Sequence, residues 1–232
     1  TEPIPRPATY DRWRAYRPAH WPGPLLGATD LDPVSNLPRD IPWDRWFSYR
    51  QIVDPQVRDG ALPATAVNWP MNDYMEGRVV DVPDDVRDKR LAEAKELSLS
   101  LLYFLQTEAG VEGLALAPAL SGTPDGFAKT VYHREGRRLR ARRTITENDV
   151  RYAEGRDRGT EYTKSVGVGA YRIDLHPSAS GRPYVDLSTL PYHVPLGALV
   201  PERVENLLPA GKNLGVTHVA NGCTRLHPTE WN

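Results

Sequence analysis

The last part of the chain concentrates side chains that can donate and accept hydrogen bonds. Three glycines, Gly211, Gly215 and Gly222, alternate with hydroxyl, amide, imidazole and guanidinium groups between residues 210 and 229. Glycine lets a backbone approach a ligand closely, and these polar groups suit the edge of a flat heteroaromatic ring. A surface loop with polar side chains has the same composition, so composition alone leaves both interpretations open.

Two histidines, His176 and His218, are candidates for a general base or a ligand, although an isolated histidine more often has a structural role. None of the six histidines forms an HxH or HxxxH pair, and we therefore expect no metal site. The single cysteine, Cys223, excludes an intramolecular disulfide and a zinc site built on cysteines. We expect Cys223 to be a small, partly buried residue rather than a catalytic thiol.

Two further polar groups each allow two interpretations. Asn68 and the run Asn72-Asp73-Tyr74 lie at the end of a predicted strand, where binding sites are common, but an Asx-type turn explains them equally well. Residues 137–143 hold five arginines, which suit a phosphate or carboxylate contact or a solvated strand face with one arginine in an ion pair. We favour the strand face, because no interleaved glycines and aromatic residues indicate RNA binding.

Composition and charge narrow the class of protein. In this chain of 232 residues, hydrophobic residues make up 40% and charged residues 25%, as is typical of soluble globular proteins. The formal net charge of -1 gives no reason to expect a nucleic-acid partner or an anionic membrane surface. No run of 18 apolar residues exists that could span a bilayer. The first residues lack the pattern of a signal peptide, so we expect a cytoplasmic location.

The clearest predicted element is a helix from about Asp84 to Glu108. Two acidic residues at its start suit the helix dipole, and Gly110 is a suitable stop. A buried stripe recurs at helical spacing, and its members are Ala94, Leu97, Leu101 and Leu105, widened by Leu102 and Phe104. Thr146 with Asp149 predicts a second, short helix that begins with a capping box.

The remaining pattern predicts strands and irregular chain. Aromatic and β-branched residues predict strands at 45–53 and 64–69, alternation predicts others within 129–145 and 166–176, and a short apolar strand is expected at 206–211. Residues 1–42 combine prolines with aromatic residues and predict an extended arm that lies against a core or a partner. We therefore expect an α+β fold in which the helix at about 84–109 covers a mixed or antiparallel sheet.

Several segments, taken together in order and spacing, resemble a known family. In the C-terminal part they are Val-Pro-Leu-Gly-Ala-Leu-Val-Pro (194–201), Glu-Asn-Leu-Leu-Pro-Ala-Gly-Lys-Asn (205–213), Thr-His-Val-Ala-Asn-Gly (217–222) and Thr-Arg-Leu-His-Pro-Thr (224–229). Upstream they are Asn-Trp-Pro-Met-Asn-Asp-Tyr (68–74), Leu-Ser-Leu-Ser-Leu-Leu-Tyr (97–103), Arg-Glu-Gly-Arg-Arg (134–138) and Gly-Ala-Tyr-Arg-Ile-Asp-Leu-His (169–176). The pattern resembles FAD-dependent oxidoreductases with the glutathione-reductase-like fold.

The resemblance implies roles for residues of this chain. It places the cofactor-binding residues Gly211, Lys212, Asn213, His227, Pro228 and Thr229 along FAD. It makes His218 a general base or polar anchor and Arg225 a contact for the flavin or a substrate anion. Asn72 and Tyr74, which bind substrate, would face the other side of the ring. The implied reaction is hydride transfer from a small organic substrate to FAD.

The chain also departs from the family pattern. The Gly-x-Gly-x-x-Gly turn that holds the cofactor's pyrophosphate in the family is absent from the 232 residues. Lys212 stands where related flavoproteins often have an acid. We therefore expect a fragment that lacks an N-terminal FAD-binding segment, that binds FAD weakly or not at all alone, and that is inactive alone.

The resemblance also implies a division of the chain. We expect the chain to consist of a wrapping arm at 1–42, a substrate domain at 43–190, and the truncated C-terminal portion of an FAD-binding domain at 191–232. Two other functions remain open from the residues themselves. One is a non-enzymatic carbohydrate- or ligand-binding domain that uses the aromatic arm, and the other is a polysaccharide lyase.

Overall fold

The computed structural model describes most of the chain and divides it into two compact units. It describes residues 2–16, 29–31, 38–40, 47–48, 50–68, 72–109, 111–176, 184–226 and 229. The first unit lies within Thr1–Asp30 and Pro38–Val131, and the second within Leu31–Leu37 and Tyr132–Asn232. Helices and small antiparallel sheets occur together, which agrees with the predicted α+β class. The predicted boundaries of arm, substrate domain and cofactor domain stay a prediction.

Two helices build the core of the first unit. Helix α2, Asp84–Thr107, confirms the predicted long helix and has Asp84 and Asp85 in its first turn. Its buried residues recur at helical spacing, and they are Leu97, Ser100, Leu101, Phe104 and Leu105. Ala94 and Leu102 are only partly buried, and Gly110 lies outside the described residues. Helix α2 packs against the first helix. The prediction that α2 covers a sheet stays a prediction.

That first helix, α1, spans Tyr10–Tyr16. The expectation of an extended arm is therefore wrong for these residues, although the expectation that the arm lies against a core is right for them. Tyr10 and Trp13 are one turn apart and both are buried in the core formed with α2. Burial of two large aromatic side chains on one face stabilises a helix that is too short to be stable alone.

The strands of the first part are shorter than predicted. Strands β1 (Thr29–Leu31) and β2 (Pro38–Asp40) precede an antiparallel pair of β3 (Gln51–Val53) and β4 (Ala64–Thr65). Phe47 and Ser48 lie within the predicted strand at 45–53 but are not in a strand. Helix α3, Pro118–Ser121, ends at Gly122, which has φ 66° as a left-handed cap requires.

The second unit is built on two antiparallel strand pairs. Strand β5 (Ser165–Gly169) pairs with β8 (Tyr192–Pro195), and β6 (Ile173–Leu175) pairs with β7 (Val185–Leu187). The single strand predicted at 166–176 is thus two strands with different partners. A 3₁₀ turn, Leu196–Ala198, follows β8. One buried cluster joins these elements, and it comprises Ile145, Val150, Ile173, Leu175, Tyr192, Val194, Ala198, Leu214, Val216, Ala220 and Cys223.

The basic stretch at 137–143 is extended but is not part of a regular strand. Its backbone N–H groups donate alternately to two segments: Leu139 to Asn213 O at 3.0 Å, and Arg142 to Val200 O at 2.9 Å. Ala141 is buried and the five arginines are exposed, which matches the predicted solvated face. Of these, Arg143 pairs with Asp149 at 3.2 Å. The capping box predicted at Thr146 and Asp149 is confirmed at the start of α4, Glu147–Val150.

The short apolar strand expected at 206–211 is wrong. Asn206 has φ 58°, a left-handed conformation that interrupts an extended chain, and Pro209 has no N–H to donate. Leu207 and Leu208 are more than half exposed. A strand needs a neighbour for its backbone groups, and no such ladder forms along 206–211 in the part of the chain that the structure describes. None of the described helices is both long enough and apolar enough to cross a bilayer.

Candidate active site

A fifth helix, α5, occupies part of the polar segment between residues 210 and 229. It spans His218–Thr224, and the Thr217 hydroxyl accepts a hydrogen bond from the Ala220 N–H at 3.2 Å as its N-cap. The interpretation as a surface loop therefore does not hold for α5. Asn221, Gly222 and Thr224 are poor helix formers, so tertiary burial has overridden local preference. All residues of α5 from Ala220 to Thr224 are buried.

Gly222 lets α5 lie directly on strand β6. A methyl group added at this position would lie 2.9 Å from Leu175 Cδ2 and 3.2 Å from the backbone nitrogen of Asp174. Only a residue without a side chain therefore fits between the helix and the strand. This contact sets the C-terminal end of α5 against Asp174, the central residue of β6.

Arg225, directly after α5, forms a buried ion pair with Asp174. Its Nη2 lies 2.9 Å from Asp174 Oδ2, and its side chain is only 4% exposed. A second guanidinium reaches the same oxygen, because Arg134 Nη2 lies 2.6 Å from Asp174 Oδ2. Arg134 also lies only 3.3 Å from the carbonyl oxygen of Asp174. Two cations therefore share one carboxylate in a largely buried cluster, here called the Arg134–Asp174–Arg225 cluster.

His218, the first residue of α5, has an acidic partner of its own. Its Nε2 is hydrogen-bonded to Glu135 Oε2, and both side chains are partly exposed, at 33% and 22%. A carboxylate on one ring nitrogen fixes the tautomer and the orientation of an imidazole. A general base can use such an arrangement of an orienting acid and partial access to solvent, and the catalytic role of His218 stays a prediction.

The two charged ends of α5 are connected through consecutive residues. Arg134 contacts the cluster at the C-terminal end, and Glu135 contacts His218 at the N-terminal end. Seven helical residues extend about 10 Å at 1.5 Å per residue, which the long side chains of two neighbouring residues can span. Arg134 and Glu135 thus lie near opposite ends of α5.

Lys212 contacts the segment at 132–134. Its Nζ donates to the carbonyl oxygen of His133, lies 3.4 Å from that of Arg134, and stands 4.7 Å from the centre of the Tyr132 ring. Gly211 has φ 107°, which admits little other than glycine. The side chain of Lys212 is thus used within the protein, and its predicted contact along FAD stays a prediction.

Asn213 and Thr229 are also placed by the protein itself. The carbonyl oxygen of Asn213 accepts from the Leu139 N–H at 3.0 Å. Thr229 is buried at 7% exposure, and its N–H donates to Leu226 O at 2.9 Å. His227 and Pro228, the other predicted cofactor contacts, lie outside the described residues. Nothing in these contacts tests the predicted roles.

Several buried polar atoms around α5 have no hydrogen-bond partner within the described residues. They are Asn221 Oδ1, Thr224 Oγ1, Arg225 Nε, Asp174 Oδ1 and Arg134 Nε. Unpaired polar atoms in a protein interior cost about 1–3 kcal/mol each, so a concentration of them marks a place where a ligand could bind. The set contains both donors and acceptors, and this signal was not visible in the sequence.

Cys223 is a structural residue, as expected. It is completely buried, and burial raises the pKa of the Cys223 thiol to about 11. The Tyr192 hydroxyl donates to the carbonyl oxygen of Cys223 at 2.8 Å, and burial raises the pKa of Tyr192 as well. Neither group is ionised near neutral pH, so neither is a nucleophile.

Asn72 and Tyr74 lie in the first unit. Asn72 Oδ1 accepts from the Ser98 hydroxyl at 2.9 Å, and Tyr74 donates to Glu93 Oε2 at 2.6 Å. Burial and this hydrogen bond raise the pKa of Tyr74. Tyr74 also lines a groove with Arg12, Glu76, Asp85, Val86, Lys89, Arg90 and Glu93. Its predicted part in substrate binding stays a prediction.

Asp149 is the centre of a polar network, of which the sequence predicted only the capping box with Thr146. Its carboxylate accepts from the Thr146 N–H at 2.8 Å and from the Tyr162 hydroxyl at 2.8 Å. Burial alone would raise the pKa of Asp149, but these hydrogen bonds outweigh burial and lower it. Arg143 donates to both Asp149 and Tyr162. The network is a stabilising one, because its acid accepts hydrogen bonds from several donors.

Metal chemistry has no candidate among the described residues, since no group of three or more His, Cys, Asp or Glu side chains there could hold an ion. The other histidine that the sequence singled out, His176, is buried beside Tyr184, with ring centres 5.9 Å apart. It follows Asp174 by two residues and therefore belongs to the same strand end.

Comparison with known proteins identifies the class. Residues 24–232 match the model of the family described as FAD dependent oxidoreductase. Because this match covers most of the chain, the chain belongs to that family of FAD-dependent oxidoreductases. No curated protein and no solved structure matches it. The match confirms the resemblance to FAD-dependent oxidoreductases and gives no support to the carbohydrate-binding and lyase alternatives. The glutathione-reductase-like fold stays a prediction.

Proposed function

We propose that this chain supplies the flavin-ring and substrate side of an FAD-dependent oxidoreductase that takes hydride from a small organic substrate. The observation that carries the proposal is the family match over residues 24–232. The cluster of unpaired polar atoms around α5 supports it from the structure. When bound, FAD supplies the hydride acceptor, and the chain's own residues supply orientation, charge and a base.

The residues around α5 fit the edge of a flavin ring. That edge alternates acceptor and donor atoms, so a complementary site needs both kinds of group. Asn221 Oδ1 is an unpaired acceptor, and the Thr224 hydroxyl can donate or accept. The two residues are three apart on a helix and thus lie on one face. We assign the ring edge to this face, together with the backbone of Gly211, Lys212 and Asn213 and with His227, Pro228 and Thr229.

His218 is the group that we propose to remove a proton from the substrate. It is partly exposed, and Glu135 is hydrogen-bonded to its Nε2. A carboxylate partner stabilises the imidazolium that forms when the ring accepts a proton. Tyr74 and Asn72 of the first unit remain the proposed substrate contacts.

The phosphate groups of FAD need a different site. The Gly-x-Gly-x-x-Gly turn is absent from the 232 residues, and we propose that a separate dinucleotide-binding segment provides it. This chain alone should then hold only the ring. Without that segment we expect weak flavin binding and no turnover.

The proposal is tested by comparing FAD with riboflavin, which has the ring but no phosphates. Flavin fluorescence and the visible absorption spectrum are followed as the chain is added. If the chain holds the ring edge alone, the two flavins bind with similar and weak affinity. Much tighter binding of FAD would show that the chain holds the phosphates itself. Unchanged spectra for both flavins would overturn the assignment of the ring edge.

A variant pair locates the site on α5. Thr224→Val replaces the buried hydroxyl by a methyl group of the same shape, and it should weaken binding of both flavins about tenfold, as the loss of one hydrogen bond to a ligand does. Thr130→Val is the matched control, because Thr130 is exposed and lies in the first unit. Equal affinities in the two variants would remove Thr224 from the site.

A further inference from the structure

We propose that the Arg134–Asp174–Arg225 cluster binds the carboxylate group of the substrate, so that the enzyme acts on an organic acid. This inference rests on the proposed function, since it names the substrate class of the same site. It adds Arg134 as a binding residue, and it gives Asp174 the role of positioning both guanidinium groups.

The first argument is charge. Arg134 and Arg225 carry two positive charges, and Asp174 carries one negative charge, so the cluster retains an excess of one positive charge. The side chains are only 17%, 4% and 15% exposed for Arg134, Arg225 and Asp174. A largely buried charge without a counterion is costly, and one carboxylate would neutralise the excess.

The neighbouring charged groups do not remove this excess. Among the described residues, Glu135 brings one negative charge near the cluster, and Lys212, whose Nζ lies against the backbone oxygens of His133 and Arg134, offsets it with one positive charge. Asp186, which lies opposite Asp174 in the β6–β7 pair, is in an ion pair with Arg172. Together these groups leave the excess of one positive charge in place. The surroundings of the cluster therefore favour an anion.

The second argument is hydrogen bonding. Both arginines direct Nη2 to a single oxygen, Asp174 Oδ2. Their Nε atoms are buried and have no partner within the described residues. A guanidinium binds a carboxylate best through two parallel N–H groups, and each of these arginines has used only one donor on Asp174. The unused Nε donors suit a carboxylate, which is planar and accepts bonds at two oxygens.

Inorganic phosphate and the carbonyl groups of the flavin are the other sources of acceptor oxygens. The experiment therefore has separate arms for sodium acetate, sodium lactate, sodium phosphate and riboflavin, all at one ionic strength set with sodium chloride. The chain is used without FAD, so that failure of flavin binding does not decide this result. The readout is the Nε–H resonances of the arginine side chains in nitrogen–proton NMR spectra, which buried guanidinium groups retain.

The resonances are assigned from Arg134→Lys and Arg225→Lys, which keep the charge but lose the planar group. Acetate and lactate should shift the Arg134 and Arg225 signals of the unmodified chain along a saturating curve, and chloride should not. Arg134→Lys should weaken lactate binding about tenfold, the usual effect of losing one charge-assisted hydrogen bond. Arg138→Lys, a change at an exposed arginine of the same stretch, should leave the affinity unchanged.

Each result decides the proposal. Saturating shifts with acetate or lactate that depend on Arg134 support it, and tighter binding of lactate than acetate would extend it to hydroxy acids. If riboflavin shifts these two signals and the carboxylates do not, the cluster serves the flavin and the proposal is overturned. Preference for phosphate, or no shift beyond that caused by chloride, also overturns it. Each lysine variant identifies one of the two signals, so if one variant fails to fold, the other signal is still assigned and its shift is still read in the unmodified chain.

Discussion

Glu135 and His218 are hydrogen-bonded although 83 residues separate them in the sequence. Their contact lies at the first residue of α5. Arg134, the residue before Glu135, binds Asp174, which also binds Arg225 directly after the other end of the helix. Two consecutive side chains thus place both the histidine and the arginine that the family resemblance singled out. The chemistry of this region is set by the pair Arg134-Glu135 as much as by α5 itself.

The first prediction concerns the tautomer of His218. With Glu135 as acceptor, the neutral imidazole should carry its proton on Nε2. Glu135→Ala should yield a mixture of both tautomers, because the acceptor is lost. Nitrogen–proton correlation spectra of the imidazole rings distinguish these states. The control is Glu154→Ala, which removes an exposed acid, and a mixture already present in the unmodified chain would contradict the assignment.

The second prediction concerns Asp149. Asp149→Asn replaces an acceptor that serves the Thr146 N–H, the Tyr162 hydroxyl and Arg143. The side chain is 9% exposed, so we expect a loss of about 2 kcal/mol in the free energy of unfolding. Urea unfolding measures the change. Asp157→Asn is the matched control, with a side chain 83% exposed, and it should alter stability by no more than about 0.5 kcal/mol.

The third prediction is the pH dependence of that loss. The native pKa of Asp149 lies below the ordinary value, so its ionised form stabilises the folded state. This contribution is fully present above the unfolded-state pKa of about 4 and is lost as pH falls through the lowered native pKa. The stability difference between the unmodified chain and Asp149→Asn should therefore be constant near neutral pH and shrink in acid. A difference that grows in acid would contradict the assigned hydrogen bonds.

Part of this structure follows from local sequence alone. The long helix was predictable because Leu97, Leu101 and Leu105 repeat at helical spacing, and the capping box was predictable because Thr146 and Asp149 are three residues apart. Both signals lie within a few residues of the element that they specify. The family resemblance also drew attention to the segment that forms α5, and the roles that it implies there stay predictions.

The remainder depends on contacts between distant residues. Asn221 and Gly222 argue against a helix by propensity, and only the packing of Gly222 on Leu175 explains why α5 forms there. The partners of His218 and Arg225 are 83 and 51 residues away, so no spacing rule could find Glu135 or Asp174. The expected strand at 206–211 failed for the same reason, because strand formation depends on a neighbour that sequence does not specify.

The fourth prediction concerns the reactivity of Cys223. Burial raises its pKa to about 11, so at pH 8 only about one molecule in a thousand carries the thiolate at any moment. The folded chain should therefore react with iodoacetamide far more slowly than the same chain in concentrated urea, where the only cysteine becomes exposed. Mass spectrometry counts the added groups over time. Equal rates in the two conditions would show that Cys223 is accessible in the native protein.

The fifth prediction concerns Gly222, which seats α5 on β6. Gly222→Ala improves helix propensity by about 1 kcal/mol, but its methyl group would meet Leu175 Cδ2 at 2.9 Å and the backbone nitrogen of Asp174 at 3.2 Å. A backbone atom cannot move aside as a flexible side chain can, and overpacking of this kind costs about 1–3 kcal/mol. We therefore expect a net loss of stability, measured by urea unfolding.

The displacement of α5 should also change the Arg225 Nε–H resonance, because Arg225 follows the helix and its partner Asp174 stays with the strand. Gly136→Ala is the control, since an added methyl group there meets nothing within 4 Å, and it should leave both readouts unchanged. A stabilised Gly222→Ala variant with an unshifted Arg225 signal would show that α5 does not rest on β6 at this residue.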